Sequence, residues 1–298
     1  MRPTILAAFA AAAFSTAASA QHDSHPAPTA STTARAFLAS TAGAGLSREA
    51  RVVTVKTMDF AFEIPDTIQA GATTFRIENV GKELHHVWIV KLAKGKTASD
   101  YFTEMDAAMK GAGPFPTWAI DLGGPNASVP GLGAEGTLTL EPGQYVMLCH
   151  IPSPDGKPHS MKGMIKPFTV VPSAQPAAEP TADVTMTLSD YDFVLSAPIA
   201  AGRRTIRMVN GAAQPHEAFI ARLAPGKTAQ DAMAFLEKMS GEPPIIPIGG
   251  ATGLAKGRAM SFAADFTPGQ YVLLCFVPDA KDGKPHVAHG MVKTIEVK

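Results

Sequence analysis

The sequence PGQYVMLC at residues 142–149 returns almost unchanged as PGQYVLLC at residues 268–275. Each copy starts with a Pro-Gly pair, continues through aromatic, β-branched and other apolar residues, and ends at one of the chain's two cysteines, Cys149 and Cys275. A short apolar run that follows turn residues is typical of a β-strand. The two sequences therefore predict two equivalent strands, each of which delivers a cysteine at its end.

The similarity between the two halves extends well beyond these strands. A shift of 131 residues superimposes the earlier parts of the two halves, and after a slip of five residues the later parts match as well. The matched pairs include Asp59 with Asp190, Phe60 with Tyr191, Asn79 with Asn210, and His85 with His216. The repeat predicts two related domains, at residues 52–171 and 182–298. The Pro- and Ala-rich residues 172–181 between them predict a semi-rigid linker.

Each half has the pattern of a β-sandwich. Residues 74–77 (TFRI) and 205–208 (TIRM) alternate between polar and apolar side chains, and Gly, Pro and Asn separate such runs along the chain. Several short strands within roughly 120 residues are typical of a sandwich of two sheets. The sequence therefore predicts an all-β protein with two tandem β-sandwich domains.

One helix interrupts each predicted sandwich. Residues 100–110 and 229–239 have helical spacing of apolar residues. The candidate N-cap residues are Thr97 or Ser99 for the first helix and Thr228 for the second. We expect both helices to be short insertions between strands, and the sequence does not indicate their role.

Composition excludes several classes of protein. The 298 residues contain 26 basic and 26 acidic side chains, without runs of like charge. This balance disfavours nucleic acid or an anionic membrane surface as a partner. Two cysteines are too few for a disulfide scaffold, a cysteine-ligated iron–sulfur cluster or a binuclear copper centre.

The N-terminus has the pattern of a secretory signal peptide. Arg2 precedes an apolar run at residues 5–14, and a small-residue cleavage site ends at Ala20. The run is too short to span a bilayer, and no later segment approaches a membrane span. We predict a signal peptide at residues 1–20, a flexible leader at residues 21–51, and a mature protein that is periplasmic or secreted.

Four residues that can bind a metal recur in the same order in each half. They are His85, Cys149, His159 and Met164 in the first half, and His216, Cys275, His286 and Met291 in the second. Two imidazoles, one thiolate and a weaker thioether form the trigonal set with a long axial ligand that is typical of type 1 blue copper. Such a geometry suits both oxidation states of copper. The sequence therefore predicts one copper ion per domain, two per chain, and transfer of single electrons.

Each half resembles a cupredoxin of the plastocyanin and azurin kind. The resemblance rests on DFAF and DYDF in the early strand, on Asn followed by His, on PGQY before the cysteine, and on His-x-x-x-Gly-Met after it. The resemblance applies to each half separately, and together the two halves make up nearly the whole mature chain. The resemblance implies Greek-key β-sandwiches with one copper each, and a redox protein as donor and another as acceptor.

The chain departs from small cupredoxins in one respect. Nine residues separate Cys149 from His159, and ten separate Cys275 from His286. These loops are longer than in small cupredoxins and closer to the type 1 loop of copper nitrite reductases. The difference leaves the expected ligands intact, but the reduction potential and docking surface are not predicted.

Three alternatives follow from other residues. A disulfide between Cys149 and Cys275 would need their Cα atoms within about 7 Å, which is rare for strand ends in separate sandwiches. The protein could instead be a periplasmic copper carrier or buffer, although such proteins tend to use open Met- and His-rich motifs. It could also be the electron-donating part of a copper enzyme, because His150 follows Cys149, yet the chain contains no His-x-His pair.

His86 is expected to face outward, because adjacent strand residues point to opposite faces.

Overall fold

The computed structural model describes residues 49–174, 177–238 and 241–298. The predicted signal peptide and the predicted leader up to residue 48 lie outside the described residues, as do residues 175–176 of the linker and Met239 at the predicted helix end. Most regular structure in the described residues is β-strand, and one α-helix lies in each half. The predicted fold class is confirmed.

The two halves contain the same elements in the same order, except that β3 has no described counterpart in the second half. The first half consists of β1 (Arg51–Met58), β2 (Ala61–Glu63), β3 (Thr67–Gln69), β4 (Gly71–Asn79), β5 (Trp88–Lys91), α1 (Ala98–Met109), β6 (Ile120–Gly123), β7 (Glu135–Leu140), β8 (Gly143–Leu148) and β9 (Ile165–Val171). The second half consists of β10 (Val184–Ser189), β11 (Asp192–Leu195), β12 (Gly202–Asn210), β13 (His216–Leu223), α2 (Ala229–Lys238), β14 (Ile245–Leu254), β15 (Ala259–Phe266), β16 (Gly269–Leu274) and β17 (Val292–Val297). A short 3-10 helix, His159–Lys162 or His286–His289, precedes the last strand of each half.

Two sheets face each other in each half. In the first half one sheet has the order β2-β1-β4-β7 and the other has the order β3-β9-β8-β5-β6. Alternate residues of β1, such as Val53 and Val55, are buried between the sheets. The end of β8 is buried on both faces instead, because α1 packs Tyr101 against Val146 and Leu148 on its outer side.

The helices therefore have a structural role that the sequence did not indicate: each covers the outer face of the sheet that carries the cysteine. Each begins with a capping box, in which the threonine hydroxyl accepts the backbone N–H of an aspartate and the aspartate accepts the threonine N–H. The pairs are Thr97 with Asp100 and Thr228 with Asp231. In the described parts of the chain, no helix combines the length and apolar character that crossing a bilayer requires.

The sheets continue from one half into the other. β7 pairs antiparallel with β15, with Gly136 opposite Phe262, and β6 meets β14 where Leu122 lies opposite Leu254. In both places a strand pairs with its own counterpart, so an approximate twofold axis relates the halves. The two halves are thus joined edge to edge, and the sheet edges that meet at the junction are paired there.

Glycines permit the close approach at this junction. A Cβ atom on Gly124 would lie 2.2 Å from the Val87 carbonyl oxygen, and one on Gly250, whose φ is +121°, would lie 1.9 Å from the Ala218 carbonyl oxygen. Gly124 and Gly250 occupy equivalent positions at a shift of 126 residues. Each therefore allows the strand at the interface to lie against the segment that carries a predicted histidine ligand.

Candidate metal centres

The first cluster, called centre 1, contains His85, Cys149 and His159. The backbone of His85 pairs with Ser128, in a short segment that leads into β5, while Cys149 directly follows β8. His159 begins the 3-10 helix. The two Nδ1 atoms of His85 and His159 are 3.1 Å apart, and the Cys149 Sγ lies 3.5 Å from the His159 Nδ1. All three side chains are fully buried.

The second cluster, called centre 2, contains His216, Cys275 and His286 in the same arrangement. The Cys275 Sγ lies 3.3 Å from the His286 Nδ1 and 3.8 Å from the His216 Nδ1. The two imidazole rings are 4.4 Å apart between centroids. These side chains are also fully buried. In each centre, the three donor atoms lie within 4.8 Å of one another.

The loop between the cysteine and the methionine is held by backbone hydrogen bonds. In centre 1, Ser160 N–H donates to the Cys149 carbonyl at 2.7 Å, and Met164 N–H donates to the His159 carbonyl at 2.9 Å. Val287 and Met291 repeat these bonds in centre 2 at 2.8 and 3.0 Å. The loop of each half therefore holds its cysteine and histidine in a fixed relative position.

The predicted residues thus fall into two groups. The structure brings six of them together as two His/Cys/His clusters. Met164 and Met291 are fully buried at the end of each loop. Their role as axial ligands stays a prediction, as does metal binding by all eight residues. Both cysteines are free and lie in different clusters.

The hydrogen bonds of the imidazole rings fit a metal site. The outer nitrogen, Nε2, hydrogen-bonds a carboxylate in three rings: His85 with Asp59 at 3.3 Å, His159 with Glu83 at 2.8 Å, and His216 with Asp190 at 3.0 Å. The His286 Nε2 lies 3.6 Å from Asp279, beyond hydrogen-bond distance. A carboxylate that accepts from Nε2–H leaves a lone pair on Nδ1. Since the Nδ1 atoms face the cysteine, centre 1 presents two lone pairs and one sulfur to a common point, and centre 2 places its two Nδ1 atoms and its sulfur in the same way.

Burial of the cysteine and histidine side chains also fits a metal site. It raises the pKa of the Cys149 thiol to about 12 and also raises the pKa of Cys275. It lowers the pKa of His85 and of His286 to about 4. Without a cation the donors are therefore neutral, whereas a bound cation stabilises the thiolate. Two imidazoles and a cysteine suit copper, zinc or iron, and the pairing with a buried methionine favours copper.

The residues before the first histidine have a role that the sequence analysis did not assign. Asp59 accepts the backbone N–H groups of Lys82 and Glu83 at 2.8 and 3.2 Å. Although burial opposes the effect, these bonds hold the pKa of Asp59 below its usual value. Phe60 has a φ of 69°. Its ring packs edge-on against the ring of His159, and the two ring centroids are 5.3 Å apart. The repeat of Asp59-Phe60 as Asp190-Tyr191 was the available signal.

The expected outward orientation of His86 is wrong. The ring points away from centre 1, but into the junction between the halves, where 6% of the residue is exposed. Its counterpart Glu217 is 5% exposed there, and burial raises the pKa of its carboxyl to about 7. The strand alternation was correct, but the face opposite centre 1 is covered at the junction. His150 lies beside it, with its ring 5.1 Å from Trp88 between centroids.

Comparison with known proteins gives structural neighbours only. No protein-family model matches the chain, and no curated protein matches it. The chain is similar to a dithionite-reduced auracyanin from Roseiflexus castenholzii, with 21% identity over 42% of this chain and 99% of that one, at a TM-score of 0.28. It is similar to a multicopper oxidase, with 13% identity over 84% of this chain and 90% of that one, at a TM-score of 0.26. It is also similar to a copper-containing nitrite reductase from Thermus scotoductus, with 11% identity over 85% of this chain and 62% of that one, at a TM-score of 0.23.

Proposed function

We propose that this protein is an exported carrier of single electrons, with one type 1 copper in each half. The observation that carries the proposal is the pair of buried clusters in which two Nδ1 atoms and one Sγ converge. Copper held by two imidazoles, a thiolate and a weak thioether changes oxidation state with little rearrangement. The proposed partners are a redox protein that donates the electron and another that accepts it.

The protein's own residues support this function by fixing the donors before a metal arrives. Hydrogen bonds from the loop hold His159 and His286, and carboxylates hold the tautomer of the rings. The clusters are closed to solvent, because all six donor residues are fully buried. A fixed, dry site resists ligand exchange, which favours a resident copper over copper as cargo.

A catalytic copper beside centre 1 is less well supported. His150 follows Cys149, and His86 is its nearest histidine neighbour outside the cluster. However, the His86 Nε2 accepts the backbone N–H of His150 at 2.8 Å, so this nitrogen is already in use. In this arrangement His86 and His150 do not present two free lone pairs to one metal.

Copper reconstitution of the mature protein tests the proposal. We expect two copper ions per chain, an intense visible absorption band and a narrow copper hyperfine splitting, all retained through repeated reduction and oxidation. A copper carrier would instead release its copper to a chelator during these cycles. Two tightly bound ions without the intense band would also contradict the proposal, because the thiolate would not be a ligand.

Export is tested separately, since its support lies in the sequence alone. We expect the protein purified from the periplasm or the medium of the native host to begin at Gln21, directly after the proposed cleavage site. N-terminal sequencing or intact-mass measurement gives the answer. A cytoplasmic protein that retains residues 1–20 would contradict export without affecting the copper proposal.

A further inference from the structure

His86 and Glu217, which follow the first predicted histidine ligand of each half, both accept a backbone N–H group, one with an imidazole and the other with a carboxylate. The His86 Nε2 accepts the backbone N–H of His150 at 2.8 Å, and the Glu217 Oε1 accepts the backbone N–H of Phe276 at 2.9 Å. These amides are the ones directly after Cys149 and Cys275. Each side chain therefore connects the strand of a histidine ligand with the peptide group next to the cysteine of the same centre.

Asn126 lies between these two side chains. Its Nδ2 donates to the Glu217 Oε2 at 3.3 Å, and its side chain lies against the His86 ring. The polarity agrees with the first set of contacts: because the His86 Nε2 accepts a proton, Nδ1 is the protonated nitrogen, and an amide can accept from it while donating to a carboxylate. Asn126 is 3% exposed, so no bulk water replaces these bonds. We call His86, Asn126 and Glu217 the interface bridge.

The interface bridge reaches the sulfur of both centres. On one side the backbone N–H of Glu217 donates to the Cys275 Sγ at 3.4 Å. On the other side the backbone N–H of His86 faces the Cys149 sulfur. Covalent bonds, hydrogen bonds and close polar contacts thus connect one predicted thiolate ligand with the other, across the junction between the halves.

The counterpart of Asn126 shows that joining the halves does not require this bridge. Thr252 stands at the equivalent position in the second half, at a shift of 126 residues. Its hydroxyl donates to the Val87 carbonyl at 2.9 Å, which matches the bond from Asn126 to the Ala218 carbonyl at 3.5 Å. Both residues close the interface in the same way. The contacts of Asn126 with His86 and Glu217 are additional, and a buried polar network is costly unless fully satisfied.

We propose that Asn126 is a positioning residue for electron exchange between the two copper centres of one molecule. This inference rests on the proposed function. In the step, one reduced copper loses an electron and the other, oxidised copper gains it, so that no bond forms or breaks and no proton moves. The interface bridge supplies this route of close contacts, which transmits an electron more effectively than a gap between atoms that are not in contact.

Rapid injection of less than one electron per molecule into fully oxidised protein tests the inference. The variants Cys149→Ser and Cys275→Ser provide the separate optical and paramagnetic spectra of the two centres. In the wild-type protein we expect a redistribution phase whose rate does not depend on protein concentration. In Asn126→Leu this rate is expected to fall by about tenfold, within the range for an interrupted network of contacts. Thr252→Val, the matched control, loses one bond across the junction and should keep the wild-type rate.

A second variant covers the case in which Asn126→Leu does not fold. Glu217→Gln keeps the shape and the acceptor for the Phe276 amide, but turns an amide donor toward the Asn126 donor and so breaks the bridge at that contact. It should slow the exchange as well. Equal rates in Asn126→Leu and Thr252→Val, or no concentration-independent phase in wild-type protein with two blue coppers, would overturn the inference while leaving the proposed function intact. Absence of blue copper would overturn the proposed function first.

Discussion

Centres 1 and 2 have the same donors but differently charged surroundings. In centre 1 the ring of His159 contacts Glu83, which lies on the chain before His85; the equivalent residue in the second half is the neutral Gln214. In centre 2 the ring of His286 faces Asp279, which lies in the loop after Cys275; its counterpart in the first half is Ser153. Each of these rings has one carboxylate near its Nε2, and the carboxylate comes from a different segment of the chain in each half.

This exchange shows which features of the centre are constrained. A carboxylate near the outer nitrogen is present in both halves, so its function is retained while its position in the sequence changes. The surroundings differ in detail: the Asp279 side chain is 1% exposed, whereas that of Glu83 is 19% exposed. Hydrogen bonds from the Tyr191 hydroxyl and from Gln214 hold the pKa of Asp279 well below its usual value. We therefore expect the two centres to differ in reduction potential.

The largest effect should come from removing one sulfur. In Cys149→Ser we expect loss of the copper of centre 1 together with its part of the visible absorption, because a serine hydroxyl cannot replace the thiolate. Cys275→Ser is the matched variant for centre 2. Copper analysis and an optical spectrum should give one copper per chain in each. Two coppers with unchanged colour in either variant would show that the cysteine is not a ligand.

Much of this comparison could be predicted from the sequence, because the donors recur in order and at nearly constant spacing. The repeat assigned the halves, and the spacing of Cys149, His159 and Met164 assigned the loop. Thr97 and Thr228 were also recognisable as N-caps. These features depend on local sequence, where spacing in the chain and position in space agree.

The junction could not be predicted in the same way. Pairing of β7 with β15 joins positions far apart in the chain, and strand alternation says which residues share a face without saying what covers it. For this reason His86 was expected at the surface. The Gly-Gly pairs at residues 123–124 and 249–250 were an unused signal, since their repeat indicates a backbone approach that excludes a Cβ atom.

The second effect concerns the potentials. Glu83→Gln removes a negative charge that stabilises the oxidised, more positive copper, so we expect the potential of centre 1 to rise. A partly exposed charge near the metal corresponds to about 1–3 kcal/mol, or roughly 40–130 mV for one electron. Asp279→Asn, the matched variant, should raise the potential of centre 2. Redox titration of each variant measures both centres, and a fall in the potential of centre 1 in Glu83→Gln would contradict this account.

The third effect is a pH dependence of the free energy of unfolding that arises from a residue of the first half alone. Asp121 on β6 accepts the Trp88 Nε1–H at 2.8 Å, and burial raises its pKa to about 6; Pro247 is its counterpart. Since this pKa is raised above the usual 3.8, the residue favours the folded state at low pH, and that contribution is lost as the pH rises from about 4 to above 6.

Asp121→Asn keeps an acceptor for Trp88 and removes the charge. We expect its free energy of unfolding at pH 7.5 to exceed that of the wild type by about 1–2 kcal/mol, and the difference to vanish near pH 4. Urea unfolding of the copper-free proteins at both pH values provides the measurement. A difference of the same size at both pH values would mean that packing, and not ionisation of Asp121, is responsible.

The smallest effect tests whether the halves unfold together. Thr97→Ala and Thr228→Ala each remove a capping box of nearly identical geometry, which should cost about 1 kcal/mol. Because both sheets cross the junction, we expect one cooperative transition, in which either substitution lowers the stability of both halves equally. Single-site proteins, Cys149→Ser or Cys275→Ser, allow the remaining blue copper to report on one half. If Thr97→Ala left the loss of colour from centre 2 unchanged, the halves would unfold independently, and the paired edges would join two separate folding units.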